Sequence, residues 1–219
     1  MEIAIAVDGP ASSGKGTVAR RVAGELGYQY VDTGAMYRTV GLYAQRQSVD
    51  LADALAAAAV ARGIRFAFAF RDSALVVLAD GEDVSAAIRG EAVGAAASAV
   101  AVHPEVRAAL LGLQRGLGVA GRVVMDGRDI GTVVLPGAQL KVYLDASLDE
   151  RARRRHAELP GRSYADVRAE LAARDAQDMH RATAPLRPAD DAVVLDSTRL
   201  TIDEVVAEVV RLAHERRGQ

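Results

Sequence analysis

The sequence predicts an α/β fold with a three-layer α/β/α architecture around a five-stranded parallel sheet. Three observations predict it. Short apolar runs that suit buried strands recur along the chain, and segments with helical spacing of apolar residues separate them. A glycine-rich turn joins the first of these strands to the first helix. The 219 residues are enough for a single domain with a well-buried core, so we expect one domain over 1–219.

The composition excludes several classes of protein. The net charge of −2 argues against a general nucleic-acid or membrane surface. Without cysteine there is no disulfide framework and no thiolate metal site, and the four histidines show no metal-ligand spacing. The apolar run at 54–61 is too short to span a bilayer, and no basic-then-apolar leader precedes the first strand. We therefore expect a cytoplasmic monomer without nucleic-acid or membrane partners.

The first strand, at 3–7, leads into a phosphate-binding loop pattern at 8–17, and a helix with Val18, Val22 and Leu26 four apart follows. Strand, glycine-rich turn and helix is the context that such a loop requires. Its N–H groups and the helix N-terminus attract anions, and Lys15 adds a mobile positive charge. Gly16 stands where a Mg²⁺-binding hydroxyl is usual. The candidate ATP-binding residues are Gly9, Pro10, Ala11, Ser12, Ser13, Gly14, Lys15, Gly16 and Thr17. The alternative is a glycine-rich turn without a ligand.

A second short strand at 28–31 follows Gly27, a helix C-cap signal, and ends in Asp32-Thr-Gly-Ala-Met-Tyr-Arg38, which opens a helix to about residue 45. Side chains just beyond a parallel strand lie in the crevice where open α/β sheets bind ligands. Thr33 and Arg38 are therefore candidate substrate contacts, and the alternative for Arg38 is a solvated surface charge.

The middle of the chain changes in character. A helix at 51–61 precedes an alternating pattern at 64–70, which is typical of a strand. A turn at 71–73, a second strand at 75–78 and a short third strand at 83–84 complete a small inserted antiparallel β-sheet, at about 62 to 85. Helices at 88–102 and 104–119 follow, with Pro104 in a first turn.

The second half returns to buried strands, at 122–126, 140–144 and 192–195; a carboxylate ends the first of them, and Asp145 follows the second. Asp126 ends the first of these and is the best carboxylate for the water shell of a Mg²⁺ ion, the alternative being a cap or an ion pair with Arg128. Ser147, Ser163 and Thr201 each precede an acidic residue by three positions and predict helix starts. The first of these three helices carries an arginine cluster, and the second runs to about residue 181.

Several of these stretches together resemble the bacterial cytidylate kinase family over essentially the whole chain. The resemblance rests on Asp8-Gly-Pro with Gly14-Lys-Gly-Thr17, on the stretch 32–38, and on Asp126-Gly-Arg-Asp129-Ile-Gly-Thr-Val-Val134. It also rests on the arginine cluster, which comprises Glu150, Arg151, Arg153, Arg154 and Arg155. A later series of arginine and aspartate adds Arg174, Asp175, Asp178 and Arg181, and two short C-terminal stretches add 184–186 and 195–197.

The resemblance implies a P-loop kinase fold with a helical lid, and ATP-dependent phosphorylation of CMP and dCMP with Mg²⁺. It implies an acceptor-binding region at about 62–100 and a lid at about 151–165. The acceptor phosphate is then held by Arg38, Arg128 and Arg181, the cytosine ring by Ser98, Arg107 and Asp129, and the sugar by Arg174 and Asp178. Arg154 and Arg155 belong to the lid, and the expected catalytic residues are Lys15, Arg128, Arg154 and Arg155.

Two alternatives remain open at this point. Another small kinase with the same loop would act on UMP, AMP or a shikimate-like alcohol. A nucleotide-binding switch would bind ATP without turnover, but it would not need a lid arginine cluster or a second set of phosphate arginines. Gln177, which stands where a charged residue is expected, and the short segment around 160–161 leave the detail of the lid open.

Overall fold

The computed structural model describes residues 2–72, 74–119 and 121–218, and within these ranges the chain forms eight strands and eight α-helices. The strands are β1 Ala4–Asp8, β2 Gln29–Asp32, β3 Phe66–Arg71, β4 Ala74–Ala79, β5 Glu82–Asp83, β6 Val123–Gly127, β7 Leu140–Asp145 and β8 Val193–Asp196. The helices are α1 Lys15–Leu26, α2 Gly34–Arg46, α3 Ala54–Gly63, α4 Glu91–Val100, α5 Pro104–Gly118, α6 Leu148–Ala157, α7 Tyr164–His180 and α8 Ile202–Arg217.

Five of the strands form the predicted parallel sheet, in the order β2-β6-β1-β7-β8. The strand that leads into the glycine-rich loop is central, between β6 and β7. All five strands therefore end at one edge of the sheet, and the loops that follow them meet there.

The inserted β3–β4 hairpin continues the main sheet. Tyr30 of β2 pairs with Ala74 of β4 in parallel, and β4 pairs with β3 in antiparallel register. The expected small sheet is thus an extension of the β2 edge, and its short third strand is β5, one residue earlier than predicted. The predicted turn at 71–73 includes Ser73, which lies outside the described residues.

Helices cover both faces of the sheet. Alternate side chains of the central strands, such as Ile5 and Val7, pack against α1 and α8, and Ala6 and Met125 belong to a cluster on the opposite face that reaches α5. A separate apolar cluster joins α2, α3, α4 and α5 to the inserted hairpin. In the described part of the chain, no helix has both the length and the apolar character needed to cross a membrane.

Local signals set most of the helix ends. Ser147, Ser163 and Thr201 accept hydrogen bonds from the backbone three residues on, as predicted. Asp53 caps α3, so this helix begins later than expected. The predicted helix at 88–102 is wrong in its first part, because a 3₁₀ turn at 87–89 and an extended Gly90 precede α4.

Two helices, α6 and α7, follow β7, and because the lid expected at about 151–165 falls within this segment they are called the lid helices here. Ala152, Val167 and Leu171 of these helices form a small buried cluster with Ala11 of the glycine-rich loop. The loop therefore lies between the sheet edge and the lid helices.

Candidate active site

The glycine-rich loop between β1 and α1 has the curled backbone that an anion site needs. A Cβ atom at Gly9 would lie 2.1 Å from the carbonyl oxygen of Leu144, so only glycine fits at this crossing. Gly14, at the start of α1, has a φ of 90°, which favours glycine, and Ser12 is also left-handed at 60°. Backbone N–H groups in such a turn and at a helix N-terminus form a concave site for phosphate oxygens.

Two polar side chains of the loop are buried. Lys15 Nζ donates a hydrogen bond to the carbonyl of Pro10 at 2.9 Å, which holds the ammonium group over the loop. Burial, together with the nearby Arg128 charge, lowers the pKa of Lys15 to about 7. Ser13 Oγ has no hydrogen-bond partner among the described residues. An incoming anion would satisfy both groups, whereas Thr17 is exposed on the first turn of α1.

A carboxylate lies next to this loop, at the end of β6. Asp126 pairs in register with Asp32 on β2, and Tyr30 donates a hydrogen bond to its Oδ1 atom at 3.0 Å. Burial, with Asp32 adding repulsion, raises the pKa of Asp126 to about 7. Thr33 donates from Oγ1 to the Asp126 carbonyl at 2.8 Å, so its hydroxyl fixes the backbone at this strand end.

The alternative for Asp126, an ion pair with Arg128, is not what the structure has. Arg128 Nε binds Asp178 on α7 at 2.8 Å, which leaves Asp126 facing the loop. Among the described residues, no three acidic or histidine side chains gather into a cation site. A single carboxylate beside a phosphate loop fits a Mg²⁺ ion that is held mainly by nucleotide phosphates and water.

The structure brings the predicted phosphate and sugar contacts together. Arg128 and Arg181 both pair with Asp178, and Arg174 lies beside them, where burial and the Arg128 charge lower its pKa to about 10. Arg174 Nε and Arg181 Nη2 are buried without hydrogen-bond partners among the described residues. Arg38 lies at the Asp32 end of β2 and pairs with that carboxylate at 2.5 Å. Because unpaired guanidinium donors are costly to bury, this cluster is suited to take up a further anion.

Next to the arginine cluster lies a cavity of about 160 Å³, lined in part by Tyr37, Arg107 and Asp129. Arg107 donates to Asp129 Oδ2, and its guanidinium group lies 5.6 Å from the centroid of the Tyr37 ring. Arg181 Nη2 lies 3.6 Å from the other Asp129 oxygen. A planar ring that enters this cavity meets the Arg107 cation, the Asp129 carboxylate and the Tyr37 side chain, and Arg181 lies behind that carboxylate.

The third residue expected at the base, Ser98, is not among the residues that line this cavity. It is half-buried on α4, and its carbonyl accepts a hydrogen bond from Gln177 of α7 at 3.2 Å. Tyr37 and Gln114 do line the cavity and were missed. Tyr37 belongs to the quoted stretch 32–38, so a signal for it existed, whereas Gln114 had none.

The structure separates the two lid arginines that were expected to act together. Arg154 donates from Nη1 to the Ser13 carbonyl at 3.2 Å and from Nη2 to the Ser197 carbonyl at 2.7 Å. Arg155 instead pairs with Glu158, the residue that follows α6. Arg154 therefore braces the phosphate loop in this structure, and a role for either arginine in lid closure stays a prediction.

A further brace, which sequence reasoning missed, is the buried Arg151. It donates from Nη1 to the carbonyl of Ala11 at 3.2 Å and pairs with Asp175 of α7 at 2.7 Å. Nothing in the sequence distinguishes Arg151 from its neighbours in the arginine cluster. Its contacts join the loop to both lid helices.

Comparisons with known proteins agree with this geometry. A model of the cytidylate kinase family matches residues 5–215. The chain is 47% identical over 220 residues to a cytidylate kinase of Geobacillus kaustophilus (strain HTA426), which covers 99% of this chain and 98% of that protein. It is 46% identical over 213 residues to a cytidylate kinase of Pasteurella multocida (strain Pm70), covering 95% and 94% of the two chains. The family resemblance of the motifs is confirmed, and the chain belongs to the cytidylate kinase family.

Proposed function

We propose that this enzyme phosphorylates CMP and dCMP with ATP, forming the diphosphates by in-line transfer. The observation that carries the proposal is the cavity at Asp129, which adjoins an arginine cluster and lies on the same sheet edge as the phosphate loop. In this proposal the cavity binds the pyrimidine base, the arginine cluster binds the monophosphate, and the phosphate loop binds the triphosphate. The chain acts as one domain over 1–219, with an acceptor-binding region at about 62–100 and a lid at about 151–165.

In this proposal each set of residues has one task. The loop amides and Lys15 hold the outer phosphates of ATP, and Arg38, Arg128 and Arg181 hold the acceptor phosphate. Arg174 and Asp178 contact the sugar. Phosphoryl transfer needs positioning and charge stabilisation above all, and arginine pairs supply both for phosphate oxygens. No general base is required, because the attacking oxygen of the acceptor phosphate is already ionised.

Mg²⁺ would supply charge neutralisation between the outer phosphates of ATP, with Asp126 as an acceptor for its water shell. The lid helices would exclude water from the transferring group, so that CMP and not water receives it. We further propose that the enzyme acts as a monomer in the cytoplasm, without nucleic-acid or membrane partners. Its mixed composition and lack of cysteine support this location.

A coupled assay of ADP release with a panel of monophosphates tests the proposal. We expect turnover with CMP and dCMP, at least about 10-fold lower kcat/KM with UMP, and little turnover with AMP. Preference for UMP or AMP would favour another small kinase. Binding of ATP without ADP release with any acceptor would favour a nucleotide-binding switch.

A further inference from the structure

The space beside Gly16 is filled from outside the loop. In many phosphate loops the residue after the lysine carries a hydroxyl that binds Mg²⁺. Here a Cβ atom at Gly16 would lie 3.3 Å from the Tyr30 hydroxyl and 3.6 Å from Asp126 Oδ2. A serine or threonine side chain at this position would therefore meet a hydroxyl that is already there, supplied by a neighbouring strand.

Tyr30 holds that hydroxyl in a fixed place. The residue is 4% exposed, and its neighbour in register on β6 is Val124. Its ring lies between the sheet and α1, with the Arg20 guanidinium group 5.3 Å from the ring centroid. Its hydroxyl donates a hydrogen bond to Asp126 Oδ1 at 3.0 Å, which joins β2 to the carboxylate at the end of β6.

We propose that Tyr30 is a positioning residue for the metal–nucleotide complex, and that its hydroxyl takes the place of the missing loop hydroxyl. The hydrogen bond to Asp126 Oδ1 fixes this carboxylate so that Oδ2 faces the start of α1. Oδ2 is then the acceptor for a water of the Mg²⁺ shell. This inference rests on the proposed ATP-dependent reaction, and it adds a residue from β2 to the phosphate loop.

A purely structural role makes a different prediction. Tyr30 belongs to the apolar cluster under α1 and α8, and a phenylalanine would keep that packing. If the hydroxyl served the fold alone, its loss would lower stability slightly and leave metal affinity unchanged. If the hydroxyl positions Asp126, its loss weakens metal binding without disturbing the fold. Loss of a hydrogen-bond partner of a metal-binding group has this effect in other proteins.

The test is the binding of Mn²⁺ to the full chain in the presence of a non-hydrolysable ATP analogue, measured by electron paramagnetic resonance. Tyr30→Phe should weaken Mn²⁺ binding by about 10-fold or more. The Mg²⁺ concentration for half-maximal kcat should rise in parallel, with the KM for CMP within about 2-fold of the wild-type value. Tyr28→Phe is the matched control, because Tyr28 is also buried in this cluster but its hydroxyl accepts a bond from the Ile3 N–H in place of donating to a carboxylate.

A second variant keeps the inference testable if Tyr30→Phe does not fold. Gly16→Ser alone should weaken Mn²⁺ binding, because its side chain crowds the Tyr30 hydroxyl, whereas Gly16→Ser added to Tyr30→Phe should restore part of the lost affinity. Unchanged Mn²⁺ binding in Tyr30→Phe, or tighter binding in Gly16→Ser alone, would overturn the inference. If the wild-type chain neither bound the analogue nor turned over CMP, the proposed function would fail first, and this inference with it.

Discussion

Asp8, at the end of β1, accepts hydrogen bonds at 2.7 Å from the backbone N–H groups of Ile130 and Gly131, one on each carboxylate oxygen. These two residues begin a π-helical turn at 130–134 that directly follows Asp129. The strand that enters the phosphate loop is thereby tied to the segment that carries Asp129, the carboxylate proposed to contact the base. Burial raises the pKa of Asp8 to about 6, against the effect of both N–H donors.

We predict that Asp8→Asn shifts the Asp129 turn. Asparagine has one acceptor oxygen for two N–H groups, so its NH₂ group would face one of the donors. A buried unpaired donor costs about 1–3 kcal/mol, part of which appears as lower stability and part as a raised KM for CMP. Thermal unfolding and steady-state kinetics with CMP, UMP and ATP measure both parts.

Asp145→Asn is the control for this change, since Asp145 also ends a strand but its carboxylate, among the described residues, accepts only from the next N–H, that of Ala146. We expect it to leave the CMP/UMP ratio of kcat/KM unchanged. An Asp8→Asn variant with wild-type stability and wild-type kinetics would mean that the tie between β1 and the turn has no effect on the acceptor site.

The features that could be predicted were those that depend on residues close together in the sequence. The loop with Lys15 follows from its glycine spacing, and the caps at Ser147, Ser163 and Thr201 need only residues within one turn. Short apolar runs likewise predicted all five parallel strands, because strands that are buried on both sheet faces are apolar along their length.

Pairings across the fold could not be predicted. Of the 27 basic residues all but two are arginine, and each guanidinium group is long enough to reach several carboxylates. Arg154 lies against the Ser13 carbonyl 141 residues away, and Asp8 binds a turn 122 residues away. Such partners depend on how strands and lid helices are arranged in space, which the residue types alone do not specify.

A second prediction concerns the charge of Lys15. Lys15→Met keeps the aliphatic stem and removes the ammonium group, so we expect kcat to fall by about 10²–10³ with the fold intact. Lys141→Met is the matched control, because Lys141 is buried too but pairs with Asp191 and not with the loop. A coupled ADP assay and circular dichroism measure the two outcomes, and near-normal turnover of folded Lys15→Met would refute the assignment.

The same lysine makes ATP binding depend on pH. Its pKa in the free protein is lowered to about 7 by burial and by Arg128, and bound phosphates would favour the charged form and raise it. Above pH 7 binding then takes up a proton, so ATP affinity should fall as pH rises from 7 to 9, by at most about 10-fold per pH unit. Calorimetry of ATP binding in buffers of different ionisation enthalpy should detect proton uptake at pH 8. In Lys15→Met this proton uptake should be absent.

Arg154 gives a prediction about the ATP side of the site. Arg154→Ala removes the donors to the Ser13 and Ser197 carbonyls and frees the end of the phosphate loop. Hydrogen bonds from charged donors contribute about 1.5–3 kcal/mol, so we expect roughly 10- to 100-fold lower kcat/KM for ATP and a KM for CMP within about 2-fold. Arg168→Ala, which removes an exposed pair between α7 and Asp149 of α6, should change neither value much. A variant that lost CMP affinity alone would place Arg154 at the acceptor.

The last prediction is that Asp129 sets the preference for cytosine over uracil. An ionised carboxylate only accepts hydrogen bonds, so it can bind the NH₂ group at C4 of cytosine. Uracil has a carbonyl at C4, so two acceptors would face each other with no proton between them. Asp129 is 5% exposed, with Arg107 on one oxygen and Arg181 near the other, so little water is available to relieve that opposition. An unpaired buried polar group costs about 1–3 kcal/mol, which corresponds to roughly 10- to 100-fold discrimination or more.

Asp129→Asn can turn an NH₂ group towards a carbonyl, so it should narrow the CMP/UMP gap in kcat/KM, mainly through loss of CMP activity. Asp178→Asn is the matched control, because Asp178 shares Arg181 as a partner but lies beside Arg128 at the phosphate end. It should impair CMP and UMP alike, since both substrates carry the same phosphate and sugar. An Asp129→Asn variant with the wild-type CMP/UMP ratio would show that the carboxylate acts only as an ion-pair partner of Arg107, and that the base is read elsewhere in the cavity.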